Sequence, residues 1–122
     1  MATIHAPDGR VLLDRVQVSG SFDAKNAKGL LGRDGLDPGE GVLLADPLGM
    51  IHMFFMRFAI DAVFMDRDLR VVKIAAHLRP WRIARAGGAS RILELGAGEA
   101  ERLGIAVGDR LVLDVGEAAQ AA

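Results

Sequence analysis

Residues 11–18, rich in valine and leucine, are extended in character and bounded by Asp8-Gly9 and Ser19-Gly20. The rhythm then changes. Phe22, Ala27, Leu30 and Leu31 do not alternate, and Ala24, Lys25, Ala27 and Lys28 favour a helix over residues 21–31, capped by Ser21 or Asp23. Residues 32–41 are dense in turn formers and read as a loop. Apolar runs at 41–45, 51–58, 60–65 and 69–75 predict strands, with Asp66 to Asp68 as the turn between the last two. A further strand is predicted at 89–95. One or two helical turns follow at 98–103, closed by Gly104, and a last strand spans 111–115. Strands apolar on both faces are sandwiched between layers or line a barrel. The pattern therefore predicts a β-rich α+β domain over residues 10–115. Its sheet is mostly antiparallel and barrel-like or a sandwich, with two short helices. Residues 1–9 form an N-terminal segment and 116–122 a frayed tail.

Composition narrows the class without naming a function. The chain has 122 residues and is 51% hydrophobic and 25% charged, the balance of one soluble globular domain. No run approaches the ~18 apolar residues of a membrane span. The first residues lack the basic head and apolar core of a signal peptide, so a cytoplasmic location is expected. With no cysteine, disulfides, thiol nucleophiles and thiolate metal sites are excluded. The net charge of −1 conceals a division: residues 57–91 carry net +5 between segments of net −2 and −4. A nucleic-acid binder is usually basic over the whole domain, so nucleic acid is not the expected partner.

Three places can carry chemistry. Arg57 and Asp61 flank a predicted reversal near Phe58 and Ala59 among apolar neighbours. A desolvated carboxylate needs a partner, so Asp61 is expected to pair with Arg57. That pair either marks the mouth of a pocket or only fixes the hairpin register. His52 sits in an apolar strand, where it is a potential general base or a rim histidine held by a backbone hydrogen bond. No His-x-His or His-Glu-x-x-His spacing occurs, so neither a metal nor another cofactor is expected. Residues 77–85 combine one histidine, three arginines and the only tryptophan, Trp81. Arginine beside an exposed aromatic is how proteins hold anions and bases. The plainer alternative is a connection crossing the sheet, with Trp81 plugging the core and the arginines solvated.

Several blocks together resemble a known family. They are KGLLGR at 28–33, GVLL at 41–44, HMFFMRFAID at 52–61, VVKI at 71–74, RPWR at 79–82 and ILELGAG at 92–98, followed by the glycines at 104 and 108. Their order and spacing are similar to the prokaryotic domain-of-unknown-function family 192, over roughly residues 10–115. The resemblance implies a compact, mostly antiparallel fold with short helices and no established activity; many relatives carry an export signal. Ala59 and Gly96 stand where the family usually has proline, which returns a backbone N–H and loosens each turn.

The expected function is a non-enzymatic binding module for a small anionic ligand or an acidic protein segment, with no membrane partner. Its candidate site residues are Arg57, Asp61, Arg79, Trp81, Arg82 and His52. The alternative is a small hydrolase or transferase using His52 and Asp61 with Arg57 as anion clamp. A single-stranded nucleic-acid binder is a further alternative.

Overall fold

The computed structural model describes residues 2–19 and 33–116. Its strands are β1 (Ala2–His5), β2 (Val11–Ser19), β3 (Glu40–Ala45), β4 (Met50–His52), β5 (Ile60–Met65), β6 (Val71–Leu78), β7 (Ile83–Arg85), β8 (Arg91–Gly96) and β9 (Val112–Asp114). One helix among the described residues, α1 (Glu99–Arg102), lies between β8 and β9. The helix expected at 21–31 falls outside the described residues.

Seven strands form one mixed sheet in the order β6-β5-β8-β3-β2-β1-β9, and β4 pairs with β7 in a separate ribbon. Only β2 and β3 run parallel; every other pairing is antiparallel. The large sheet is not closed into a barrel. Its edge strands meet at one end alone, through a single antiparallel bridge between Arg70 and Arg110. Beside that bridge, the Val71 N–H donates to the Asp109 carbonyl at 2.8 Å. Residues 2–5 belong to this sheet, between β2 and β9, so packed structure begins ahead of residue 10.

The apolar runs at β5 and β8 have the predicted cause. All six residues of β5 are buried, and so are the last five of β8. Their alternate side chains feed two clusters on opposite faces. Val63, Met65, Leu93 and Leu95 join Ile4, Leu13, Val16 and Leu43 on one face. Ile60, Ala62, Phe64 and Ile92 join Ile51, Met53 and Ala89 on the other. The β4–β7 ribbon is thus a lid over the second cluster, with Ile51 turned inward and Met50 and His52 outward. Gly49 fixes one end of it. At φ 61°, an added Cβ would stand 2.6 Å from the Ala86 carbonyl oxygen and 2.7 Å from that of Ala89. No helix of the described residues is long and apolar enough to cross a membrane.

The strand expected at 51–58 ends at His52. Met53 turns its backbone to the neighbouring loop: its N–H donates to the Arg82 carbonyl, and its carbonyl accepts from the Trp81 N–H, both at 2.8 Å. Phe55 then takes a φ of 65°, which reverses the chain. Hydrophobicity alone carried no signal of that reversal.

Candidate functional site

Two tight turns lie side by side at one end of the ribbon. In the first, Met56 N–H closes onto the Met53 carbonyl at 3.3 Å; in the second, Arg82 N–H closes onto the Arg79 carbonyl at 3.3 Å. Both place a positive φ at their third residue, 65° at Phe55 and 69° at Trp81. That is the signature of a type II turn, and Pro80 occupies the second position that proline favours. The third position normally belongs to glycine or asparagine, because a Cβ there is strained. Here it carries two large aromatics, each of them exposed: Phe55 by 71% and Trp81 by 59%.

These side chains form a ledge of contiguous rings. His52 stacks on Phe54 with centroids 4.8 Å apart. Phe54 stands 6.0 Å from Trp81, and Trp81 stands 4.8 Å from Phe55. Ile83, the cross-strand partner of His52, and Met50 are exposed on the same ribbon. Arg57, Arg79, Arg82 and Arg85 belong to the same two segments of chain and are exposed too. The sequence has no acidic residue between Asp46 and Asp61, nor between Asp68 and Glu94, so both halves of the ribbon lack one. Among the described residues, the one carboxylate paired with these arginines is Asp34, 3.7 Å from Arg57.

The structure therefore brings His52, Trp81, Arg79 and Arg82 onto one surface and corrects two expectations. Trp81 does not plug the core. Arg57 and Asp61 do not pair: Arg57 is exposed, whereas Asp61 is fully buried. One Asp61 oxygen accepts the N–H groups of His77 (2.9 Å) and Gly98 (3.1 Å), and the other accepts that of Ala100 (2.9 Å). The carboxylate is a latch tying β5 to the end of β6 and the start of α1. It occupies otherwise orphaned donors at the helix start, where its charge is favoured. It projects from the face of β5 opposite Ile60 and Ala62, which pack beneath the ribbon, and so does not approach His52.

The sequence offered no sign of Glu94 as an unusual group beyond its place between two leucines. Its carboxyl lies on the ribbon-facing side of the sheet, paired across β8 with Val42 and Ala62, and is buried. It has no hydrogen-bond partner among the described residues, and burial pushes its pKa up to about 7. The departure at residue 96 has a packing counterpart: a Cβ on Gly96 would stand 3.0 Å from the Leu36 carbonyl oxygen, so glycine admits that loop.

The sequence profile of an uncharacterised family, domain-of-unknown-function family 192, matches residues 4–113. The chain belongs to this family. A UPF0127 protein of Thermococcus sibiricus is 33% identical to it, covering 93% of this chain and 75% of that protein. A crystal structure of a protein of unknown function from Novosphingobium aromaticivorans is similar, with TM-score 0.73 and 30% identity, covering 91% of this chain and 82% of that one. A Sinorhizobium meliloti structure, described as that of a candidate transcription regulator, has TM-score 0.73 and 25% identity, covering 91% and 90%. For this family-192 chain the strained turns give a direct prediction. Phe55→Gly and Trp81→Gly each leave stability within about 1 kcal/mol of the parent, since relief of the left-handed strain offsets lost packing and chain entropy. Urea unfolding curves check this.

Proposed function

We propose that the protein is a non-enzymatic binding module that docks an acidic, apolar-anchored segment of a partner protein on the outer face of the β4–β7 ribbon. The observation that carries the reading is the exposure of Phe55 and Trp81 on left-handed backbone. Strained positions that solvent exposure does not reward are retained where the side chain has work to do. Aromatic residues, methionine and arginine are enriched, and lysine and acids depleted, at protein interfaces. The ribbon and its two adjoining turns have that composition, from Met50, Phe54, Phe55 and Trp81 to Arg57, Arg79, Arg82 and Arg85. An arginine rim in which Asp34, beside Arg57, is the one paired acid among the described residues complements a negatively charged partner and speeds its encounter.

The hydrolase or transferase reading loses support from the geometry. His52 lies on the outer face of the lid, and both Asp61 oxygens are occupied by backbone donors from below it. The single-stranded nucleic-acid reading draws support from the stacked rings. The net charge of −1 weighs against a polyanion.

Trp81 is the chain's only tryptophan, so its fluorescence reports on the ledge alone. Titration with glutamate-rich peptides carrying leucine or phenylalanine anchors changes that fluorescence saturably. The effect weakens as salt screens exposed charge beyond ~8–10 Å. Phe55→Gly weakens binding by about tenfold or more, the scale of one lost hot-spot side chain. Equal binding of peptides without acids, or stronger binding of oligothymidine, would refute the reading.

A further inference from the structure

We propose a second binding site, for a small organic anion, at the seam where the large sheet fails to close. This site stands apart from the ribbon and does not rest on the docking role assigned to it. A cleft of about 510 Å³ opens there, within the range of small-molecule sites. Arg67, Arg110 and Asp68 line it, with Pro7, Val112 and Leu113 as apolar lining, so its charged lining is net positive. Arg70 is the direct partner of Arg110 in the bridge that joins the two edge strands.

Like charges placed directly opposite one another in an antiparallel pair repel, so an Arg–Arg pair at the bridge between the two edges is costly by itself. Among the described residues, no carboxylate, Asp68 included, forms an ion pair with either arginine or with Arg67. Their mapped bonds go to backbone carbonyls: Arg70 donates to Gly108 at 3.0 Å and Arg110 to Asp68 at 3.3 Å. A guanidinium carries five N–H donors, so each retains most of its capacity. Leu69, in the same cleft, also holds a left-handed φ of 66°, a further local cost. A phosphate monoester or carboxylate supplies the missing charge and accepts the forked donors. The apolar lining selects an anion with an aliphatic or aromatic body over a bare inorganic ion.

The test is an amide chemical-shift titration of the whole chain with inorganic phosphate, phenyl phosphate and phenylacetate, each against chloride at matched ionic strength. The site predicts saturable shifts at Arg67, Asp68, Arg110 and Leu111. The phenyl compounds bind more tightly and also move Val112 and Leu113. Whichever of phenyl phosphate and phenylacetate binds more tightly identifies the head group. Arg67→Gln leaves the fold intact, because Arg67 makes no hydrogen bond among the described residues, and weakens binding about tenfold, the worth of one charge-assisted contact. Arg110→Gln weakens binding similarly, and in anion-free buffer it raises the melting temperature by relieving the opposed charges. Shifts no larger than those from chloride, unchanged affinity in Arg67→Gln, or shifts confined to residues 50–57 and 79–85 would overturn the proposal. The last result would place the anion on the ribbon.

Discussion

Replacing Asp61 with alanine lowers the unfolding free energy by about 3–4 kcal/mol, because three backbone N–H donors lose a charged acceptor at once. Two of those donors stand at the start of α1, so the damage spreads to the helix and to the end of β6. Asp61→Asn costs about 2 kcal/mol: an amide keeps one oxygen, but its NH₂ group faces either the Ala100 N–H or the other two donors. Arg57→Ala changes stability by no more than about 0.5 kcal/mol, since the guanidinium is exposed and its one pairing, with Asp34, is on the surface. The double variant is additive, as unlinked sites are. Denaturant unfolding of the single and double variants measures all of this. A coupling of about 1 kcal/mol or more between Arg57 and Asp61 would restore the buried pair and refute the latch.

The second large effect concerns Glu94 and depends on pH. Its folded-state pKa of about 7 lies above the ordinary value of 4.5, so the folded protein holds a proton that the unfolded chain has released. Stability contributed by that proton is fully present below the unfolded value and is lost as pH rises through the folded one. Between about pH 4.5 and 7 this group therefore makes the domain less stable as pH rises, by about 3 kcal/mol in all. Glu94→Gln removes the dependence. At pH 8 the variant is more stable than the parent by about that amount, and near pH 4 the two are alike. Unfolding curves across that range decide the matter. A variant no more stable than the parent at pH 8 would mean that the Glu94 carboxylate has a partner that offsets its burial.

The parts of the fold that sequence made legible are those where local chemistry and tertiary packing agree. β5 and β8 are apolar at consecutive positions because both their faces are covered. The turn after β5 carries Asp66, whose carboxylate accepts the Asp68 and Arg70 N–H groups. Gly104, with φ 73°, closes α1 as its position suggested. β1 has four residues and too little pattern to register, and it acquires order from β2 and β9 on either side. The end of β4 was invisible for a different reason. Left-handed turn positions are ordinarily marked by glycine or asparagine, whereas here they hold Phe55 and Trp81. The same rule also fails at Leu69 and His77, so four non-glycine residues hold left-handed backbone, and two of them carry the candidate site. Asp61 was correctly read as a buried carboxylate in need of a partner. Its donors are backbone groups 16, 37 and 39 positions downstream, and main-chain amides leave no trace in composition.

The most direct measurement of the central claim is a display selection of random peptides on immobilised protein, run in parallel on the parent and on the Phe55→Gly/Trp81→Gly double variant. Both retain the fold if the two turns are relieved as the strain argument requires, which urea unfolding establishes beforehand. The parent is expected to enrich peptides with net negative charge and one or two large apolar anchors. Those peptides fail to bind the variant, and on the parent they protect the amides of residues 50–57 and 79–85 from hydrogen exchange. Enrichment of basic or neutral peptides, or peptides that bind parent and variant equally well, would contradict the proposed docking.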